Sequence, residues 1–239
     1  MKAAAWVRLA ASSALLTVSG VLTVAASAQR WWPACPIGEF YRDDCLLVQG
    51  GSGYYISPRD GWVPMGSAAE LHGAGMLLLA VAVLLLPWVL AGRRPAWKLS
   101  TAAVVVAAGA AVVALPTLLS GLTGQAVSLP HMSLPEVLYM FGLPALLIGS
   151  ALQATPGPTR VERARWAVVI CLIAEAWGFA HVLAMAIFMF SPHDAIPWAE
   201  AVGGGVLIVA AACLWLTVQR DKASDTEERG DVGAPLVTT

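Results

Sequence analysis

Six apolar runs, at 9–28, 70–91, 99–122, 134–153, 166–190 and 198–219, alternate with polar segments along the chain. Each holds about 20 mainly apolar residues, the length an α-helix needs to cross roughly 30 Å of hydrocarbon. Backbone groups inside lipid must be satisfied within the segment or within a closed barrel. The runs are rich in Ala, Val and Leu and lack the period-2 alternation of a membrane β-strand. The pattern therefore predicts an all-α fold: a polytopic membrane helix bundle with six transmembrane helices. It divides the chain into a first transmembrane helix or signal peptide over 1–28, an extracytoplasmic loop over 29–69, a five-helix transmembrane region over 70–219 and a disordered cytoplasmic tail over 220–239. Pro87, Pro116 and Pro144 fall within runs and read as packing kinks.

Composition sharpens the reading. The 239 residues are 58% hydrophobic and only 12% charged, against roughly 25% charged in an ordinary soluble domain. A soluble enzyme and a disordered chain are both excluded. The few cations then set orientation, because Lys and Arg gather on the cytoplasmic side of short loops. With the N-terminus inside, the inner segments hold Lys2, Arg8, Arg93, Arg94, Lys98, Arg160, Arg163, Arg165, Arg220, Lys222 and Arg229, whereas the outer segments hold Arg30, Arg42 and Arg59. An N-in, C-in protein of the plasma membrane is expected. The high ratio of Arg to Lys, with abundant Ala, Val and Gly, points to a bacterial source. The formal net charge of −1 gives no reason to expect a nucleic-acid partner.

The first run has a competing interpretation. Lys2 and Arg8, an apolar stretch and then Ala26-Ser27-Ala28 also describe a cleavable signal peptide. The stretch between Arg8 and Arg30 is long for a signal core and long enough to span, which favours a retained helix. The loop over 29–69 carries Cys35 and Cys45 on the oxidising side of the membrane, so a disulfide-closed outer loop is expected. Trp31, Trp32, Tyr54, Tyr55 and Trp62 flank it as interfacial aromatics do. Cys171 and Cys213 lie within runs and read as small packing residues.

Ionisable residues within an apolar run are costly and are candidates for function. Glu175 and His181 are the deep pair in the fifth run. They lie six residues apart, about 240° around a helix, so they face different neighbours. Glu70, Glu136 and Glu200 are carboxylates near the outer ends of their helices. His72 and Met76 repeat an i, i+4 spacing in the second run, and His181, Met185, Met189 and His193 continue it in the fifth. Thioether and imidazole together favour copper, or the axial positions of a haem. His72, Met76, His181 and Met185 are thus the candidate metal ligands, with copper or haem as the candidate cofactor. Against them stands ordinary packing by Met and His.

No Gly-x-Ser-x-Gly elbow, His-Glu-x-x-His pair or Walker lysine is present, which sets aside the common hydrolases and ATPases. Four function classes survive. The leading expectation is a non-catalytic accessory or assembly component of an envelope membrane complex, with the lipid bilayer and other membrane subunits as partners. The alternatives are a copper- or haem-binding redox or metallochaperone protein, a small-solute transporter, and an intramembrane isoprenoid cyclase using Glu136 and Glu200 as acids.

Overall fold

The computed structural model describes residues 3–32, 34–49, 62–127, 133–154, 159–176 and 196–231. Among them every regular element is helical. Helix α1 spans Ala3–Trp31, α2 Asp43–Gln49, α3 Ala68–Ala91, α4 Trp97–Thr123, α5 Ser133–Val137, α6 Leu143–Leu152, α7 Thr159–Ala176 and α8 Ala199–Asp231. Helices α1, α3 and α4 are each long and apolar enough to cross a membrane, and Leu138–Leu152 and Ala199–Trp215 are shorter apolar helices. This marks the chain as a membrane protein.

The elements follow the apolar runs with instructive departures. The run at 134–153 is a single rod interrupted by a π-helical turn, Leu138–Gly142, between α5 and α6. Pro144 explains its place: it has no N–H to donate to the carbonyl four residues back, and its ring crowds that carbonyl, so the preceding turn widens. The run at 166–190 is described as far as Ala176. The last helix does not stop at 219, where the apolar run ends, but continues to Asp231. Residues 206–229 contain neither Gly nor Pro, so nothing local breaks the helical ladder there. Helices α3 and α4 do end on breakers, Gly92 and Gly124, both in the left-handed conformation that glycine adopts without strain.

Helix α1 packs against α3 and α8, α3 also against α4 and α6, and α7 against α6 and α8. The elements α1, α3, α6, α7 and α8 thereby close a ring around one core. Leu16, Leu79, Leu86, Leu143, Leu147, Leu172 and Leu214 are among its fully buried side chains. Neighbouring long helices run antiparallel. At one end the Arg8 guanidinium lies 5.9 Å from the Trp88 ring centroid, Trp6 meets Trp215 edge-on at 5.7 Å, and Arg93 Nε donates to the Gln153 carbonyl at 3.1 Å. At the other end the Ser67 backbone N–H donates to Gln29 Oε1 at 2.6 Å, joining the start of α3 to the end of α1. Val104, Val105, Val112, Leu115 and Leu122 remain exposed on α4.

What lets α1 sit so deep is its stripe of small and hydroxylic residues. Ser12, Ser13, Ser19, Gly20, Thr23 and Ser27 are all buried. Ser13 Oγ donates to the Ala211 carbonyl of α8 at 3.1 Å, and Ser19 Oγ to the Gly75 carbonyl of α3 at 2.7 Å. A Cβ on Gly20 would lie 2.5 Å from the Gly204 carbonyl oxygen, and one on Gly204 would lie 2.5 Å from that of Gly20. Small residues at such a crossing let two backbones approach, the device by which helices associate where no water drives them together.

Gly204→Val is accordingly expected to cost about 1–3 kcal/mol by overpacking, read as a lower unfolding midpoint in detergent. Gly205, whose added Cβ would meet nothing within 4 Å, tolerates Ala to within about 0.5 kcal/mol. Equal tolerance at both positions would contradict the close crossing of α1 and α8.

Candidate functional site

The end of the bundle where α1 stops and α8 starts is closed by a lid. Cys35 and Cys45 are joined in a disulfide, ten residues apart in sequence. The bond is buried with Trp31, Phe40 and Trp198 in a cluster separate from the main core. Helix α2, which carries Cys45, was not foreseen from the polar loop sequence. Its first turn holds Asp43 and Asp44, which suit a helix N-terminus, and Asp44 Oδ1 accepts the Cys45 backbone N–H at 3.0 Å. Arg42 just before it donates to Glu39 at 2.7 Å and to Asp44 at 2.9 Å and 3.1 Å. Its hydrogen bonds to Glu39 and then to Asp44 hold its guanidinium above the usual range.

Trp198 links the lid to the bundle. Its indole N–H donates to the Cys35 carbonyl at 2.9 Å, and its ring meets Trp32 edge-on at 6.1 Å. Its backbone adopts φ 66°, a conformation that costs a bulky side chain of order 1–3 kcal/mol and persists only where the surroundings fix it. Two residues on, in the first turn of α8, Glu200 turns back to α1. Its carboxylate accepts from Ser27 Oγ at 3.3 Å, from Trp31 Nε1 at 3.1 Å and from Arg30 Nη1. The Arg30 guanidinium also lies over the Trp31 ring, 4.4 Å from its centroid. The Arg30 side chain is 2% exposed and that of Glu200 16%, so each charge depends on the other for what water would otherwise supply.

Beneath this cap lies a cavity of about 180 Å³, lined by Ser19, Thr23, His72, Met76, Leu79, Glu175, Ala199, Glu200, Gly203 and Leu207. For scale, an engineered apolar cavity of about 150 Å³ holds one benzene molecule. A space of this size takes an ion with water or a very small molecule. Of the sequence candidates, His72, Met76, Glu175 and Glu200 therefore converge, from α3, α7 and α8. Tyr139, in the π-helical turn, donates its hydroxyl to Glu175 Oε2 at 2.5 Å. The widened turn thus sets Tyr139 against a carboxylate of α7.

Other candidates lie elsewhere. Glu70 faces α4, where a Cβ on Gly121 would fall 2.6 Å from its Cγ, and its Oε2 is buried with no hydrogen-bond partner among the described residues. Glu136 lies in α5, and Met140, one turn on, is 41% exposed. His181 and Met185, with Met189 and His193, fall outside the described residues. Among the described residues no three His, Cys, Asp or Glu side chains form a group able to hold a metal ion.

Sequence reasoning missed Arg30, Trp31, Ser27 and Tyr139. In the sequence Arg30 is one of three outer cations, and its pairing with Glu200 emerges only in the structure. Comparison with protein-family models, with curated proteins and with solved structures finds no match.

Tyr139→Phe keeps the ring and removes the donor to Glu175. It is expected to lower stability in detergent by about 1–3 kcal/mol, the cost of leaving a buried acceptor unsatisfied. An unchanged unfolding midpoint would show that Glu175 draws nothing from Tyr139.

Proposed function

We propose that this chain is a six-span, multi-pass protein of a bacterial plasma membrane with both termini cytoplasmic, and that it acts as a non-catalytic component, accessory or assembly factor, of an envelope membrane complex. Its first helix is retained rather than cleaved. The observation that carries the functional reading is how its polar groups are used. Glu200 is bonded to Ser27, Arg30 and Trp31 of another helix, Glu175 to Tyr139, and Ser13 and Ser19 to carbonyls of neighbouring helices. These groups fasten one helix to the next, as a scaffold requires. Its partners are the bilayer and other membrane subunits.

Charge supports the orientation. Arg8, Arg93 and Arg165 lie toward one end of the bundle: Arg8 beside Trp88, Arg93 bonded to Gln153, and Arg165 next to Gly92. That end is the cytoplasmic one under the positive-inside rule. The cations assigned outside are balanced where they are described, Arg30 by Glu200 and Arg42 by Glu39 and Asp44.

Topology is tested by cysteine labelling in a Cys171→Ala/Cys213→Ala background. Pro156→Cys is expected to resist a membrane-impermeant maleimide in intact cells and to react once they are permeabilised, whereas Gly51→Cys reacts in both. The reverse pattern would overturn the orientation. The component reading is tested by purifying the chain from native membranes in a mild detergent after in-cell cross-linking. A membrane subunit present in fixed stoichiometry is the expected result. A monodisperse lone chain, or solute uptake abolished by Glu175→Gln, would overturn it in favour of an independent protein or a transporter.

A further inference from the structure

Beyond that reading, we propose that the cavity beneath the lid is a binding site for a soft monovalent metal ion, copper(I), held by the imidazole of His72 and the thioether of Met76. Both residues belong to α3, four positions apart, and both line the same cavity. Residues four apart on a helix lie one above the other. The same spacing lets the two histidines of a His-Glu-x-x-His helix grip one zinc ion. The pair is therefore spaced to chelate.

Three further observations point to a ligand and to its class. His72 makes no hydrogen bond among the described residues, and its Nδ1 is buried. Buried polar groups are nearly always bonded, so an unused imidazole on a cavity wall calls for an explanation. The wall also holds two carboxylates. Glu200 is paired with Arg30, whereas Glu175 meets no cation among the described residues and accepts only the Tyr139 hydroxyl there. A cation in the cavity would favour its ionised form. Finally, the chelating pair is soft. Ser19, Thr23, Glu175 and Glu200 bring oxygens to the same wall, but calcium and magnesium take oxygen ligands and make no use of a thioether. Among the described residues no three His, Cys or carboxylate side chains are grouped closely enough to hold zinc. Thioether with imidazole selects copper(I), which accepts as few as two ligands.

The test uses the full-length protein in detergent with Cys171→Ala and Cys213→Ala, so that free thiols do not bind the metal. Copper(I), kept reduced with ascorbate, which leaves the Cys35–Cys45 disulfide intact, is supplied as a coloured chelate with bicinchoninate. One equivalent is expected to pass to the protein. Met76→Leu and His72→Phe, which keep bulk in the cavity, should each weaken uptake at least about tenfold, since even indirect partners of a metal ligand cost that much. Unfolding midpoints and size-exclusion profiles of both variants check that the fold is kept. No uptake by the parent protein, or uptake that either folded variant retains in full, would overturn the proposal. Neither result depends on whether a partner subunit exists.

Discussion

The structure depends on a buried charge pair placed where two helices end. Arg30 in the last turn of α1 and Glu200 in the first turn of α8 meet under the disulfide lid, with Ser27 and Trp31 completing the acceptor set of the carboxylate. Taking two charges out of water is expensive, and the attraction between them repays the cost only when hydrogen bonds satisfy what remains. The lid supplies that shelter: Trp31 belongs both to the disulfide cluster and to the carboxylate's donors. Trp198 ties the same cluster to the start of α8. The lid, the charge pair and the register of α1 against α8 are thus one construction.

Below the pair, contact between helices rests on small residues rather than on interlocked bulk. Gly20 and Gly204 bring the backbones of α1 and α8 together, and serine hydroxyls reach the carbonyls of α3 and α8. In lipid the hydrophobic effect gives helices no reason to associate, so close packing and hydrogen bonds must do so. This explains how a helix whose sequence also suits a signal peptide can belong to the bundle. The hydroxylic stripe that weakens its hydrophobicity is the face that α3 and α8 cover.

Much of the architecture is legible in the sequence because apolar run length and backbone hydrogen bonding leave few solutions. The helices over 68–91 and 97–123 fall within a few residues of the runs at 70–91 and 99–122. The convergence of His72, Met76, Glu175 and Glu200 is not legible in the sequence, which sets Glu175 deep in its run and Glu200 near an outer helix end. Which of them face inward depends on helix rotation, and rotation is set by contacts such as Ser19 with Gly75, which lie 56 residues apart and leave no periodic signature. Glu70 shows the limit: it is two residues from His72, yet that offset turns it toward Gly121 of α4. Tyr139 was invisible for another reason. A phenol in an apolar run reads as packing, and its role appears only when Glu175 is placed opposite it. The helical continuation to Asp231 was hidden because low apolar content argues against a packed core without arguing against a helix.

If the acids at the lid end fasten helices, a double-mutant cycle on Arg30 and Glu200 will register it. Unfolding free energies in detergent would be measured for the parent protein, Arg30→Gln, Glu200→Gln and the double variant. Removing one partner of a buried pair costs about 3–5 kcal/mol, because the other charge is left without its counterpart. Each single change is expected to destabilise by this order, and the double change to cost clearly less than their sum, a coupling of about 0.5–3 kcal/mol. Additive effects, or a Glu200→Gln variant as stable as the parent, would show that the pair does not hold α1 to α8.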